Sequence, residues 1–414
     1  MPHPNRVAVN SGCAQSPAKR CQPCISHRSW RDSSRNVATA RLSPSGWDLE
    51  SSGVADLLAK IRQAGVPLRE YLGTSPLYGI KTGFNEAFLI DQQTRDRLVA
   101  EDPKCEPIIR KFLRGRDIQR WHPQWGGEWM IVLKSSENHP WPWANAGDKA
   151  QSIFRKTYPS LQRHMARHEE RLRQRADQGR HWWELRSCDY YDRFDAPKIA
   201  YQVIGFHSRF CVDDHGHYSN DKTFFLPGRT LYIAALLNSS ALWRVMWAEF
   251  PHMKDEAMAM HAFAVEALPI PEAADSQRMA AAALGQALVD LAKQHQDTNA
   301  TFFGWLSMKF GTTRVTQKLE TYWQLDAATL EAEVRRAGAS KLTPAVRRLL
   351  AEEHMRQLAA LRPVLAKIRQ LEIELHHLVF DLYGLTPDDV QLLRSTAPPR
   401  DPLALVEAGV GLTD

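Results

Sequence analysis

Apolar positions follow two regimes along the 414 residues. Between residues 47 and 271, short apolar runs alternate with turn-prone clusters; beyond residue 272, apolar positions recur at helical spacing over long stretches. Val54, Leu57, Leu58 and Ile61 stand at i, i+3, i+4 and i+7, which predicts a short amphipathic helix closed by Gly65 and Pro67. Residues 78–80 and 87–90 are β-prone runs around the turn Lys81-Thr82-Gly83-Phe84-Asn85, and residues 129–133 predict another strand. Residues 159–175 read as one helix with Leu161, Met165 and Leu172 facing inward. Strands are expected over 198–204 and 210–212, with Asp213-Asp214-His215-Gly216 turning the chain back toward Tyr218 and residues 224–226. Short helices are expected over 231–238 and 242–247, before two prolines in Leu268-Pro269-Ile270-Pro271 break the pattern.

The chain is mainly helical after that point. Residues 273–294 are Ala-rich and carry Met279, Leu284, Leu288 and Leu291. Over 363–382 the positions Val364, Ile368, Leu371, Leu375, Leu378 and Leu382 alternate by four and three, the 3.5-residue period of a helix in a bundle or short coiled coil. Gly384 suits a helix C-terminus, and Thr386-Pro387-Asp388-Asp389 starts a new helix with proline at its first position. The pattern predicts an α+β fold: a mixed twisted-sheet α/β region over 46–271, then a helical bundle or spacer over 272–395. Residues 1–45 show neither periodicity and hold few large apolar residues, so they are expected to be a disordered basic tail, and residues 396–414 a flexible one.

Charge changes this picture less than its total suggests. The formal net charge is +6, but seven of the 53 basic residues and one of the 47 acidic ones fall within residues 1–45. The remaining chain holds 46 of each, so bulk basicity is no argument for nucleic-acid binding. No apolar run approaches the roughly 18 residues a spanning helix needs, which excludes an integral membrane protein of the helical kind. Six cysteines without a paired pattern, and no apolar leader at the start, suggest a reducing cytoplasmic location. Cys13, Cys21, Cys24 and His27 have zinc-ligand chemistry, but their spacing matches no tight template.

Catalytic signatures do not emerge. The one G-x-G, at residues 409–411, precedes no helix, and no phosphate-binding loop, H-E-x-x-H, G-x-S-x-G or zinc-deaminase signature occurs. His164 and His168 are flanked by Arg163, Arg167 and Arg171, a setting that favours surface histidines over metal ligands. Asp195-Ala-Pro-Lys198 is the nearest approach to a nuclease acid-x-Lys strand, and Pro197 spoils it. Lys198 then reads as a phosphate contact or a plain surface lysine.

Local charge is more informative. Residues 155–186 hold nine Lys/Arg against four acids, and Arg163, Arg167, Arg171 and Arg175 are four apart. On one helix they form a stripe that a phosphate backbone would neutralise; the alternative is a solvated charged face. Trp121, Trp125, Trp129, Trp141, Trp143, Trp182 and Trp183 crowd the same part of the chain, interleaved with Arg114, Arg116, Arg120 and Arg180. They could stack on exposed bases, although tryptophan is mostly a packing residue. In Arg114-Gly115-Arg116-Asp117, two guanidiniums suit guanine or phosphate, unless Asp117 ties them into an ion pair that locks the loop.

With these residues in view, the segment from Tyr78-Gly-Ile-Lys-Thr-Gly-Phe-Asn-Glu-Ala-Phe-Leu-Ile-Asp91 closely resembles the opening block of the TaqI-like C-terminal specificity domain. That domain is the target-recognition part of adenine-specific DNA methyltransferases in type IIG and related restriction–modification systems. Further blocks follow in the family's order: residues 112–121 (FLRGRDIQRW), Tyr158-Pro159 with the basic helix, and residues 182–186 (WWELR). After them come 197–201 (PKIAY), 220–222 (NDK), 236–239 (LLNS), 268–271 (LPIP) and the closing stretch 378–386. The likeness spans roughly residues 47–395. Family members normally carry an upstream methyltransferase domain with an Asn/Asp-Pro-Pro-Tyr/Phe motif, and here the sole Pro-Pro lies in Thr-Ala-Pro398-Pro399-Arg.

The resemblance therefore implies the recognition half of such an enzyme without the methyl-transferring half. Its implied partner is double-stranded DNA, with S-adenosylmethionine held not by this chain but by a missing domain or a separate methyltransferase or endonuclease subunit. On this reading Lys81, Thr82 and Asn85, then Arg114 and Arg116, then Lys198, Asn220 and Lys222 contact DNA, and Arg163, Arg167 and Arg171 hold its backbone. The alternatives are a stand-alone DNA endonuclease with an unrecognised site, or an inactive fragment or protein-interaction module.

Overall fold

The computed structural model describes residues 52–339 and 342–409, together with two paired two-residue strands, Leu42–Ser43 and Gly46–Trp47. Apart from Leu42 and Ser43, the expected disordered tail, with the zinc-type residues Cys13, Cys21, Cys24 and His27, thus lies outside the described residues. The fold is α+β. Besides two short antiparallel pairs, Gly65–Pro67 with Pro269–Pro271 and Ile204–Gly205 with Met258–Ala259, its sheet region holds eight described strands: β1 (Leu77–Tyr78), β2 (Leu89–Ile90), β3 (Ile109–Leu113), β4 (Trp129–Ile131), β5 (Lys198–Gln202), β6 (Phe210–Asp213), β7 (Tyr218–Ser219) and β8 (Thr223–Pro227). They form two four-stranded sheets rather than one. The first runs β6-β5-β8-β1, antiparallel throughout; the second runs β7-β3-β4-β2 and is mixed, with β7 parallel to β3.

The helices include α1 (Ser52–Gln63), α2 (Asn85–Phe88), α3 (Pro159–Ala166), α4 (Glu169–Gln174), α5 (Leu231–Leu237), α6 (Ser240–Glu249), α7 (Asp275–Phe310), α8 (Pro344–Leu382), α9 (Pro387–Ser395) and α10 (Pro402–Glu407), with others between them such as Gln92–Glu101, Ala150–Thr157 and Ala327–Arg336. The predicted α1 face is the buried one: Val54, Leu57, Leu58 and Ile61 are all buried. The heptad positions Val364, Ile368, Leu371, Leu375 and Leu382 face the core from within a helix nearly twice as long as the repeat suggested. Pro363 sits inside α8 without ending it, and Thr386 caps α9 with Pro387 at its first turn.

Sheet and helices share one interior. Ile199, Tyr201, Phe210 and Val212 of the first sheet pack in the same cluster as α5, α6, the first half of α7 and the second half of α8. A second cluster gathers the other sheet with Trp143, Phe154, Trp182 and Trp183, and a third fills the far end of the helical part around Phe302, Tyr322 and Leu361. No helix among the described residues is long and apolar enough to cross a membrane.

Two expectations give way here. Residues 159–175 are not one helix: α3 ends at Ala166 and α4 begins after His168, with Glu169 and Glu170 in its first turn. Acids favour a helix start and bases a helix end, and Arg163 and His164 occupy the last turn of α3. The four-residue arginine stripe is therefore interrupted. Residues 396–409 are also not a loose tail, because Pro402 and Leu403 are buried and Asp401 accepts a hydrogen bond from Ser240 Oγ at 2.8 Å.

Candidate nucleic-acid interface

The turns that follow β1, β3 and β7 meet at one place. Gly79 donates its N–H to Thr223 O at 3.0 Å and Ile80 donates to Ser219 O at 2.7 Å, so the Tyr78-Gly79-Ile80 run lies against the 219–223 turn. The approach demands glycine, since a Cβ on Gly79 would stand 1.8 Å from Asn220 O. A Cβ built on Gly115 would be 3.7 Å from Lys222 O, and Gln202 Nε2 donates to Gly115 O, which brings the Arg114–Asp117 loop alongside. Lys81, Asn85 and Lys222 line one open cleft together with Glu86, Asp177 and Asp221.

Arg175 fixes the floor of this cleft. Its Nη1 donates to Thr82 O at 2.6 Å and Asp177 O at 2.9 Å, and its Nη2 donates to Trp182 O at 3.0 Å and to Glu184 O. Burial pushes the guanidinium down to about 10, still charged at neutral pH. Gly83, with φ +67°, packs on Arg175 and Asp177, where a Cβ would lie 3.2 Å from each Cβ. The fourth arginine of the expected stripe is thus a backbone clamp rather than a phosphate contact.

The expected contact residues divide accordingly. Asn85 is exposed and Lys81 half-exposed, while Thr82 is buried and donates its hydroxyl to Asn85 Oδ1 at 2.7 Å. Thr82 therefore positions Asn85 and does not itself face a ligand. Asn220 is half-buried, its Oδ1 accepting from the Lys222 N–H at 3.2 Å, and the Lys222 side chain is 69% exposed. Arg114 is exposed but pairs with Glu128; Arg116 is 75% exposed. The loop is locked by Asp117, although not by a close pair with an arginine side chain: its carboxylate accepts from the Arg114 backbone N–H at 2.7 Å. Burial nevertheless raises the Asp117 carboxyl, against that hydrogen bond and the Arg116 charge.

Among the three backbone candidates, Arg171 lies over the Phe84 ring at 5.1 Å and so joins the cleft. Arg167 is exposed beside it in sequence, and Arg163 is occupied by Glu101 at 2.6 Å. His164, expected at the surface, is buried with Nε2 2.9 Å from Ala87 O, and burial lowers its pKa.

Lys198 is removed from the interface. Its ammonium is buried, 2.6 Å from Asp213 Oδ2 and 2.7 Å from Phe194 O, so no phosphate can reach it. Asp213 also holds His217 Nδ1 at 2.7 Å and accepts the His215 and His217 N–H groups. Burial alone would raise that carboxyl; His217 and Lys198 outweigh it and hold it well below the usual range. The signal lay in the strand pairing, where Lys198 is directly opposite Asp213.

The tryptophans are mostly interior. Trp121, Trp143, Trp182 and Trp183 are buried, and Trp143 Nε1 donates to Glu184 Oε1 at 2.7 Å. Glu184 Oε2 accepts from the Ser136 N–H and hydroxyl, which makes the buried acid of Trp-Trp-Glu-Leu-Arg the polar hub of the second core.

Arg120, also interleaved with those tryptophans, is a further interior residue. It is bidentate to Glu372 of α8, at 2.8 Å and 2.6 Å, and donates to Ser208 O and Asn238 Oδ1. Trp121, at φ 72°, donates its indole N–H to the same carboxylate at 2.5 Å while its backbone joins β6. A tryptophan rarely adopts that conformation, and here both its ends are anchored. Among the described residues no three His, Cys, Asp or Glu side chains are grouped as metal ligands.

Comparison with known proteins adds three findings. Residues 274–379, about a quarter of the chain, match a domain of unknown function (DUF8810). No curated protein matches the chain. Among solved structures, the type IIL restriction-modification enzyme MmeI in complex with DNA is similar over 78% of this chain and 35% of its own, with TM-score 0.44 and 13% identity. The type IIG restriction endonuclease BpuSI is similar over 57% of this chain and 28% of its own, with TM-score 0.36 and 10% identity. The chain thus spans about a third of the length of these enzymes.

Proposed function

We propose that this chain selects a site on double-stranded DNA, as the target-recognition part of a restriction–modification system that methylates adenine at N6. The observation that carries the reading is the meeting of three separate turns, each lying in a family-like block, at one exposed cleft. Two lysines and a paired Thr82–Asn85 stand there among three acids. Such a mixture differs from a plain phosphate groove. Asparagine pairs with adenine edges and acids accept from cytosine amino groups, whereas Arg116, Arg167 and Arg171 suit the sugar–phosphate backbone.

The catalytic groups and S-adenosylmethionine belong, on this reading, to another domain or subunit. The helical part would brace the recognition sheet and dock that catalytic partner. Loops on a rigid sheet can change their contacts without unfolding the protein, which suits a module whose task is selection.

Selection from a random duplex library, followed by competition at two salt concentrations, tests the proposal. The expected result is a best site bound at least about a thousandfold tighter than random duplex. A ratio near one at both salt concentrations would refute site selection and leave only nonspecific binding.

A further inference from the structure

A second lined space lies away from the turns proposed to face DNA. A cavity of about 270 Å³ opens between the 207–209 segment, α8 and α10. Its apolar wall is made by Trp323, Leu365, Leu405 and Val406, and its polar wall contains four arginines and His207 with no aspartate or glutamate among the lining residues.

The donors of this wall are unequally used. Arg120 is neutralised by Glu372, and Arg369 Nη2 donates to Glu407 O at 2.6 Å. Arg400 Nη1 and His207 Nδ1, by contrast, are out of solvent with no hydrogen-bond partner. A buried guanidinium nitrogen without an acceptor costs free energy, and native proteins seldom leave one so. Arg400 is held in place by its left-handed backbone, φ 57°, and by stacking on Phe206 at 5.0 Å.

We infer that this cavity binds a small organic anion, with a flat or branched apolar body against Trp323 and Leu365 and a carboxylate or phosphate on Arg400 and His207. Burial, followed by the charges of Arg209, Arg400 and Arg120, pushes His207 down to about 3, so the ring is neutral at pH 7. A neutral imidazole with hydrogen on Nδ1 donates to an anion without adding a further positive charge. Both orphan donors would then be satisfied by one acceptor group. A metal cation is excluded by the same arginines, and an uncharged apolar ligand leaves the donors unpaired.

The occupant would touch α8 and α10 together, so it would tie the last described helix to the one that carries Glu372. The site is distinct from the turn cluster, and its test does not involve DNA. Calorimetric titration of the full chain with naphthoate, naphthyl phosphate and naphthylmethanol separates the sources of affinity. At least one of the two anions should bind with one-to-one stoichiometry, raise the melting temperature, and bind at least about tenfold tighter than the alcohol. Naphthoate or naphthyl phosphate as the stronger of the two identifies carboxylate or phosphate as the natural head group.

Arg400→Met should weaken the anion about tenfold and leave the alcohol unchanged. Ala366→Trp, at an exposed helical position lining the cavity, should abolish binding by filling it. Equal affinity for anion and alcohol would overturn the inference. So would wild-type binding by either folded variant, or the absence of saturable binding by both anions at millimolar concentration.

Discussion

Arg116 and Arg120 lie one short loop apart and live in opposite surroundings. Arg116 is 75% exposed above the turn cluster, whereas Arg120 is buried and bidentate to Glu372. Lys222 and Lys198 repeat the contrast: one is 69% exposed, the other 2% and locked to Asp213. Within blocks of the same family-like character, one set of cations is exposed, with only neighbouring acids for partners, and the other bolts the first sheet together or to the helical part. Residue type alone does not separate contact from scaffold; position on the pairing lattice does.

Breaking a bolt should produce the largest effect. Glu372→Ala leaves Arg120 charged and buried, and takes an acceptor from Trp121, so it should cost about 3–5 kcal/mol of stability in chemical denaturation. Replacing both partners, Arg120→Met with Glu372→Leu, should recover most of that loss, because an apolar pair removes the stranded charge. A double variant as unstable as the single one would mean that the ion pair itself, not its uncompensated half, supplies the stability.

Acid should loosen the same scaffold. Burial, with Arg120 and His377 adding to it and Glu372 opposing, pushes His376 down to about 3, and burial pushes His295 to about 4. Their folded pKa values lie below the unfolded one. Below pH 6.5 the unfolded chain therefore binds more protons, and stability falls as pH drops from about 6.5 toward about 4. Each histidine contributes up to about 1.4 kcal/mol per pH unit in that window. His376→Asn keeps an acceptor for the Ser240 N–H and should flatten the slope measured by denaturation at pH 6.5 and 4.5.

A smaller effect is expected where scaffold and cleft touch. Gly79→Ala drives a methyl group into Asn220 O and should cost about 1–3 kcal/mol. Because it parts the 81–85 turn from the 220–222 turn, it should also weaken DNA binding in the protein that remains folded, as titration would show.

Much of the architecture was legible in the sequence because it was periodic. The α1 face, the α8 heptads, the Thr386 cap and the α+β order all follow from spacing. The split into two sheets did not, since short strands of two to five residues carry too little pattern to reveal their partners. The break between α3 and α4 left one trace, the Glu169-Glu170 pair after a basic helix end, but no glycine or proline marked it. Arg175 and Lys198 were misjudged for a related reason. A cation is expected outside unless its buried partner is known, and Thr82 O and Asp213 reach them only through the tertiary fold. Tryptophan behaved as composition suggests, filling cores in which the buried acids Glu184 and Glu372 accept indole N–H groups.

The central claim is that exposed turn cations meet DNA while buried ones hold the fold. Salt-dependent DNA affinity and melting temperature, measured in parallel on Lys222→Met and Lys198→Met, address it most directly. Lys222→Met should lower the salt slope by about one and leave the melting temperature nearly unchanged. Lys198→Met should lower the melting temperature and leave the slope of the folded protein as it was. An unchanged slope in Lys222→Met, or a reduced one in folded Lys198→Met, would contradict the account.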